Sequence, residues 1–168
     1  MYADLREVFI EHYGSLFGFA YRMLGDTYDA EDIVQEAFIR LAQQGTRNED
    51  PCVLRRWLFV VTRNLCISHY RASFYRRTMQ LDEGVAVETS QLNPRAQAVR
   101  REQRDIIKRA VLDLPPSLRE VIILREYEDL SYSEIAEVVG CSVGTVKSRI
   151  ARAREVLRSA LIMFLEVQ

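Results

Sequence analysis

The chain has 168 residues, of which 48% are apolar and 28% charged, and its formal net charge is −1. This composition is typical of one ordinary globular domain or two small ones, and it excludes a disordered or collagen-like chain. The apolar runs at 58–61 and 160–165 are far shorter than the ~18–20 residues that span a membrane. No signal peptide is recognised, and three cysteines without a C-x-x-C spacing favour a reducing compartment. We therefore expect a cytoplasmic protein without membrane insertion.

The near-zero charge hides two basic blocks, each preceded by an acidic one. Residues 1–50 carry ten acidic and four basic side chains, whereas residues 51–80 carry six arginines and no acid. Residues 110–139 carry seven acidic and two basic side chains, whereas residues 140–158 carry five basic and one acidic. Basic blocks are what phosphate binding requires. A merely solvated helix face is the alternative for either block alone.

Helical periodicity predicts three helices in the first half of the chain. Apolar residues recur at helical spacing over residues 5–24, and Gly25 interrupts them. The next helix has carboxylates near its start and apolar residues up to Leu41, which suits a helix N-terminus. A polar loop at 44–51 precedes a third helix, which we expect to fray near residues 71–77.

The helical period is lost over residues 78–95, which contain Gly84 and Pro94 and are predicted to form a flexible linker. The predicted fold is therefore all-α, with two small helical domains on either side of this linker. We assign the first domain to residues 1–77 and the second to residues 96–168.

The second half contains a helix-turn-helix pattern. Ser131 and Glu134 form a predicted capping box, and Gly140 suits the left-handed end of the short helix that follows. Ser142 then offers the cap of another helix. Two short helices joined by a turn with glycine predict a helix-turn-helix, whose second helix enters the major groove of DNA. An ordinary amphipathic hairpin is the alternative.

Both halves resemble bacterial sigma factors. Residues 114–161 resemble the domain that recognises the −35 element, and the region from residue 29 to residue 64 resembles the core-binding and −10-recognising domain of the extracytoplasmic function (ECF) group. The motifs are LPP at 114–116, LSYSEIA at 130–136, GTVKSRIARAR at 144–154, DAEDIVQEAF at 29–38, WL at 57–58 and TRN at 62–64. They occur in the family's order, with a linker and no middle domain between them.

The resemblance implies an alternative sigma factor. Such a protein is not an enzyme and needs no cofactor or metal. It binds the clamp and flap of core RNA polymerase and directs transcription initiation at promoter DNA by recognising the −35 and −10 elements and helping to melt the DNA. An anti-sigma factor is a further implied partner.

The resemblance also implies which residues make these contacts. For core polymerase they are Asp32, Ile33, Gln35 and Glu36. For the −10 element they are Asn64, which lines a pocket for a flipped base, with Ser68, Arg71, Arg55, Arg56 and Arg63. For the −35 element they are Lys147, Ser148, Arg149, Ala151, Arg152 and Arg154. The loop at 44–52 lacks the aromatic residue that many members carry there, so the preferred −10 bases stay open.

Three other classes of protein compete with this interpretation. A free-standing helix-turn-helix regulator would need neither the acidic helix nor the arginine-rich one. An enzyme is disfavoured because His12 and His69, the two histidines, lie in no nucleophile or metal-ligand spacing. A sigma-sequestering adaptor would lack the groove-facing Lys147 and Arg152.

Overall fold

In a computed structural model the chain is described over residues 5–45, 50–79 and 95–166, and its side chains over 5–45, 50–76 and 104–162. The described residues form helices joined by short turns, without a strand, so the predicted all-α fold is confirmed. The helices are α1 (Leu5–Leu24), α2 (Thr27–Gln44), α3 (Pro51–Met79), α4 (Arg95–Leu112), α5 (Pro116–Glu126), α6 (Tyr132–Val139) and α7 (Val143–Glu166). None of these helices, over its described residues, is long and apolar enough to cross a membrane. Most of the predicted linker, residues 80–94, lies outside the described residues.

The third helix differs from its prediction. Fraying was expected near residues 71–77, but α3 is helical from Pro51 to Met79. No glycine or proline follows Pro51 until Gly84, so nothing in the covalent chain breaks the helix there. Residues 71–79 contain three arginines, one alanine and one methionine, all of them strong helix formers.

The first half is a three-helix unit. α1, α2 and α3 pack against one another around a shared apolar core. Leu16, Phe19, Leu58 and Phe59 are each at most 1% exposed. The rings of Phe19 and Phe59 meet edge to face with 5.9 Å between their centroids, an arrangement that adds to the stability gained by burial.

The second half is built around α5 and α7. α5 packs on α6 and α7, and α4 packs on α7. Ile123, Leu124, Ile135 and Ile150 are almost completely buried in this unit. Because α6 and α7 share this core with α5, the angle between the two helices of the predicted helix-turn-helix is fixed by packing.

The two halves also pack against each other, a contact that the sequence did not predict. α1 lies against α4 and α5, and α3 lies against α6, so the buried apolar residues of both halves form one continuous cluster. Gly25, at φ 82°, allows a close approach, because a Cβ atom built there would lie 2.9 Å from Leu112 Cδ1. The division into domains at residues 77 and 96 stays a prediction.

Candidate nucleic-acid interface

The turn between α6 and α7 is fixed by its caps. The Oγ of Ser131 accepts a hydrogen bond from the backbone N–H of Glu134 (3.2 Å), and the Glu134 carboxylate accepts one from the N–H of Ser131 (2.7 Å). These bonds lower the pKa of Glu134 and confirm the predicted capping box. Gly140 is left-handed, at φ 74°. Ser142 Oγ accepts the N–H of Thr145 (3.1 Å) at the start of α7.

One side of α7 is buried and the other faces solvent. Val146, Ile150 and Ala153 are at most 1% exposed and anchor the helix on the core. The residues predicted to face the groove lie on the open side, and they are Lys147, Ser148, Ala151 and Arg152. Small side chains at two of these four positions let a groove come close to the helix.

The two arginines that flank this row are paired within the second half. Arg149 Nη1 lies 3.5 Å from Glu120 Oε1. Arg154 donates two hydrogen bonds to Glu126 (3.2 and 2.6 Å), and these bonds raise its pKa. The pair of Arg154 lies at the surface, with about half of each side chain exposed, so a phosphate can compete with it in solution.

The reading face predicted on α3 is open to solvent. Asn64, Ser68 and Arg71 are all exposed, and their spacing of four and three residues aligns them on one side of the helix. The guanidinium of Arg63 donates to the side-chain oxygen of Asn64 (3.1 Å) and so orients this amide. The structure therefore brings together the predicted pocket residue and the two side chains that follow it.

The three arginines predicted to hold phosphates of the −10 element contact the second half instead. The contacts are Arg55 Nη2 to the backbone oxygen of Glu128 (3.0 Å), Arg56 with Glu137, and Arg63 with Glu120 (2.7 and 3.2 Å). We call Glu120, Glu128 and Glu137 the acidic face. Sequence reasoning missed its role. The signal for it was the acidic run at 110–139, which shows charge but not its partners.

The predicted polymerase-binding residues lie on α2 with unequal exposure. Asp32 and Gln35 are exposed, and Glu36 pairs with Arg40 at 2.8 Å. Ile33 is only 6% exposed and belongs to the core. A contact through Ile33 stays a prediction that its buried position does not favour.

The histidines and potential metal ligands show no catalytic arrangement among the described side chains. His12 is buried, which lowers its pKa, and His69 Nε2 lies 3.3 Å from Asp29 Oδ1. Over these residues no group of three His, Cys, Asp or Glu could hold a metal ion.

Comparisons with known proteins identify the family. Region 2 of the sigma-70 family matches residues 8–73, and region 4 matches residues 104–157. The ECF RNA polymerase sigma factor SigW of Bacillus subtilis is 33% identical over 170 residues, which cover 95% of this chain and 88% of SigW. The chain belongs to the ECF subfamily of RNA polymerase sigma factors.

Further relatives support the same family assignment. ECF sigma factor SigE of Mycolicibacterium smegmatis is 36% identical over 92% of this chain and 60% of SigE. The sigma factor RpoE of Bartonella quintana, solved with the anti-sigma factor NepR, has a TM-score of 0.70 at 26% identity over 93% of this chain and 95% of RpoE. CnrH, solved with the cytosolic domain of CnrY, has a TM-score of 0.66 at 27% identity, over 95% of this chain and 88% of CnrH.

The family decides between the classes left open by the sequence. This sigma factor is not an enzyme, and it directs promoter-specific transcription initiation, with region 4 as a DNA-binding unit. A free-standing regulator is not favoured, because regions 2 and 4 occur together in one chain.

Proposed function

We propose that this sigma factor recognises the −35 element by placing α7 in the major groove. Lys147, Ser148, Ala151 and Arg152 then face the base edges, and Arg149 and Arg154 hold flanking phosphates. The observation that carries the proposal is the solvent-facing row on α7, opposite the buried side that fixes the helix. A guanidinium such as that of Arg152 can pair with two acceptors of a guanine.

The −10 element is read by α3. Asn64 addresses a flipped base, since its amide offers both a donor and an acceptor, and Ser68 and Arg71 extend the same face. Arg55, Arg56 and Arg63 hold phosphates of the melted strand once they leave their partners in the second half. The open reading face and its arginine neighbours support this assignment.

Core polymerase is bound in two places. Asp32, Gln35 and Glu36 on α2 dock on the basic coiled coil of the clamp, and the exposure of Asp32 and Gln35 supports this contact. The second domain binds the flap. A surface of carboxylates and an amide pairs with arginines and lysines and steers their approach.

The chain works as two domains, residues 1–77 and 96–168, joined by the linker at 78–95. Fifteen of these residues, 80–94, lie between α3 and α4 and would reach at most about 54 Å if fully extended, and two helical turns of DNA are roughly 70 Å long. With the width of the domains added, the two halves can reach both elements at once.

An anti-sigma factor holds this protein inactive in the cytoplasm. Support comes from its solved neighbours, of which RpoE was crystallised with an anti-sigma factor. The sigma factor itself is not inserted into a membrane, either alone or when it binds this partner. The inducing signal and the regulon are set by that partner and by the promoters.

The test is run-off transcription with purified core RNA polymerase, with and without this protein, from a library of promoter-like DNA. We expect transcripts that depend on the protein and share a −35 and a −10 sequence upstream. The absence of such transcripts, together with tight binding to duplex DNA without polymerase, would overturn the proposal.

A further inference from the structure

One carboxylate of the acidic face holds arginines from both halves. The side chain of Glu120 is 1% exposed, and its two oxygens accept from Arg63 in a two-point contact (2.7 and 3.2 Å). The same group lies 3.5 Å from Arg149. Glu120 therefore engages an arginine proposed for the −10 element and one proposed for the −35 element at the same time.

A second carboxylate is inserted between the halves. Glu128 is 8% exposed and accepts a hydrogen bond from Ser15, close to the charges of Arg22 and Arg55. On α1, a Cβ atom built at Gly18 would lie 2.6 Å from Arg22 Nη1, so Gly18 leaves room for the arginine whose charge acts on this acid.

Glu137, the third carboxylate of the acidic face, is exposed to solvent. Glu137 on α6 pairs with Arg56 on α3, and their side chains are 53% and 42% exposed. Glu137 can therefore be changed without opening a hole in the core.

Carboxylates and phosphates make the same demands on arginine. Both accept paired, charge-assisted hydrogen bonds from one guanidinium, so the acidic face and a DNA strand cannot hold Arg63 in this way at once. Arg55 and Arg56 are engaged by the second half as well, through the backbone oxygen of Glu128 and the carboxylate of Glu137.

We propose that the acidic face is an internal substitute for DNA phosphates. In the free protein its carboxylates occupy Arg56 and Arg63, and the backbone oxygen of Glu128 occupies Arg55, until the two halves separate. The proposal rests on the proposed role of these arginines in binding the −10 element. It predicts that the free protein binds DNA poorly because its own carboxylates compete.

Two of the natural cysteines can carry labels that measure the distance between the two halves. Cys52 is exposed at the start of α3, and Cys141 is half-buried between α6 and α7. Cys66 is buried, which raises its pKa to about 12, so it is a poor target for thiol reagents. Spin labels on Cys52 and Cys141 of the full chain therefore report the distance between the halves.

The variant that tests the proposal is Glu137→Arg, which sets two guanidinium groups against each other. In the wild-type protein we expect one short label-to-label distance by pulsed electron paramagnetic resonance, which lengthens when core polymerase is added. In the variant we expect the separated population to rise about five-fold. The affinity of the free protein for a single-stranded −10 oligonucleotide should rise by the same factor.

The matched control is Glu7→Arg, which makes the same charge change at an exposed position in the first turn of α1. It should leave the distance unchanged and raise DNA affinity only through overall charge. Combining Glu137→Arg with Arg56→Glu restores an ion pair, so the short distance should return.

Two results would overturn the proposal. One is a wild-type free protein that already shows mainly the long distance. The other is Glu137→Arg gaining no more separation or DNA affinity than Glu7→Arg. Transcription by the wild-type holoenzyme is a separate readout. If it initiates at promoters while Glu137→Arg behaves like the control, the proposed function stands and the internal substitute is wrong.

Discussion

At the scale of single residues, Arg119 joins the ends of two helices from different halves. It is 5% exposed and donates to the backbone oxygens of Met23, Leu112 and Leu114. Carbonyls at helix C-termini lack helical partners and carry partial negative charge. A buried cation is therefore well placed here, even though burial lowers the pKa of Arg119.

We expect Arg119→Met to lower the free energy of unfolding by about 2–4 kcal/mol, because it removes charged donors and leaves buried carbonyls unpaired. Urea denaturation measures the loss. The matched control is Arg109→Met, which changes an exposed arginine on α4. It should lower the free energy of unfolding by less than about 0.5 kcal/mol. Equal losses in the two variants would contradict this role of Arg119.

His12 gives the stability a dependence on pH. Burial lowers its pKa in the folded protein, whereas in the unfolded chain it stays near about 6.5. As the pH falls below that value the unfolded chain takes up the proton first, so the free energy of unfolding decreases. Denaturation at pH 7.5 and 5.5 should show this loss, and His12→Gln should reduce it. An unchanged pH dependence in His12→Gln would exclude His12 as the source.

At the scale of elements, α6 depends on its cap more than a long helix would. It has eight residues, and short helices rely on satisfied termini and tertiary packing. The two hydrogen bonds between Ser131 and Glu134 satisfy donors that the helix itself leaves open.

Ser131→Ala should therefore destabilise the protein by about 1 kcal/mol, the usual value of such a cap. Ser133→Ala, on the same helix and exposed, should change stability by less than half as much. Thermal unfolding of both variants measures the difference. A similar shift in both would mean that the cap contributes little.

On α7, the same substitution at two arginines should have different effects on promoter recognition. We expect Arg152→Ala to weaken discrimination between a natural and a scrambled −35 element by about 1–3 kcal/mol, because it removes a base contact. Arg154→Ala should weaken binding to both sequences alike, because a phosphate contact carries no sequence information. Holoenzyme binding to the two DNAs measures this, and equal losses on both for both variants would remove the distinction.

At the scale of the whole molecule, local features were predictable and the contact between the halves was not. The caps of α6 and α7, the buried positions of α7 and the exposed row from Asn64 to Arg71 all follow from spacing within a few residues. The pairing of Arg63 with Glu120 joins positions 57 residues apart. Such partners depend on how helices pack, and the sequence shows only that both charges exist.

The helix α3 was predicted to fray near residues 71–77, where it stays regular. This error is a local one, because the absence of glycine and proline from this part of the chain can be seen in the sequence. The polymerase contact on α2 was predicted as four residues, and burial of Ile33 leaves the three polar ones better placed.

The unbroken α3 also fixes the position of Asn64, the residue proposed to contact a flipped base, relative to the point where the chain leaves the helix. Met79 lies fifteen positions after Asn64, and at about 1.5 Å per residue this is a helical segment of about 22 Å. Each residue inserted into it would turn the departing chain by about 100° around the helix axis. The direction in which the chain leaves α3 at Met79 is therefore fixed by the helix pitch relative to Asn64, the residue proposed to contact a flipped base.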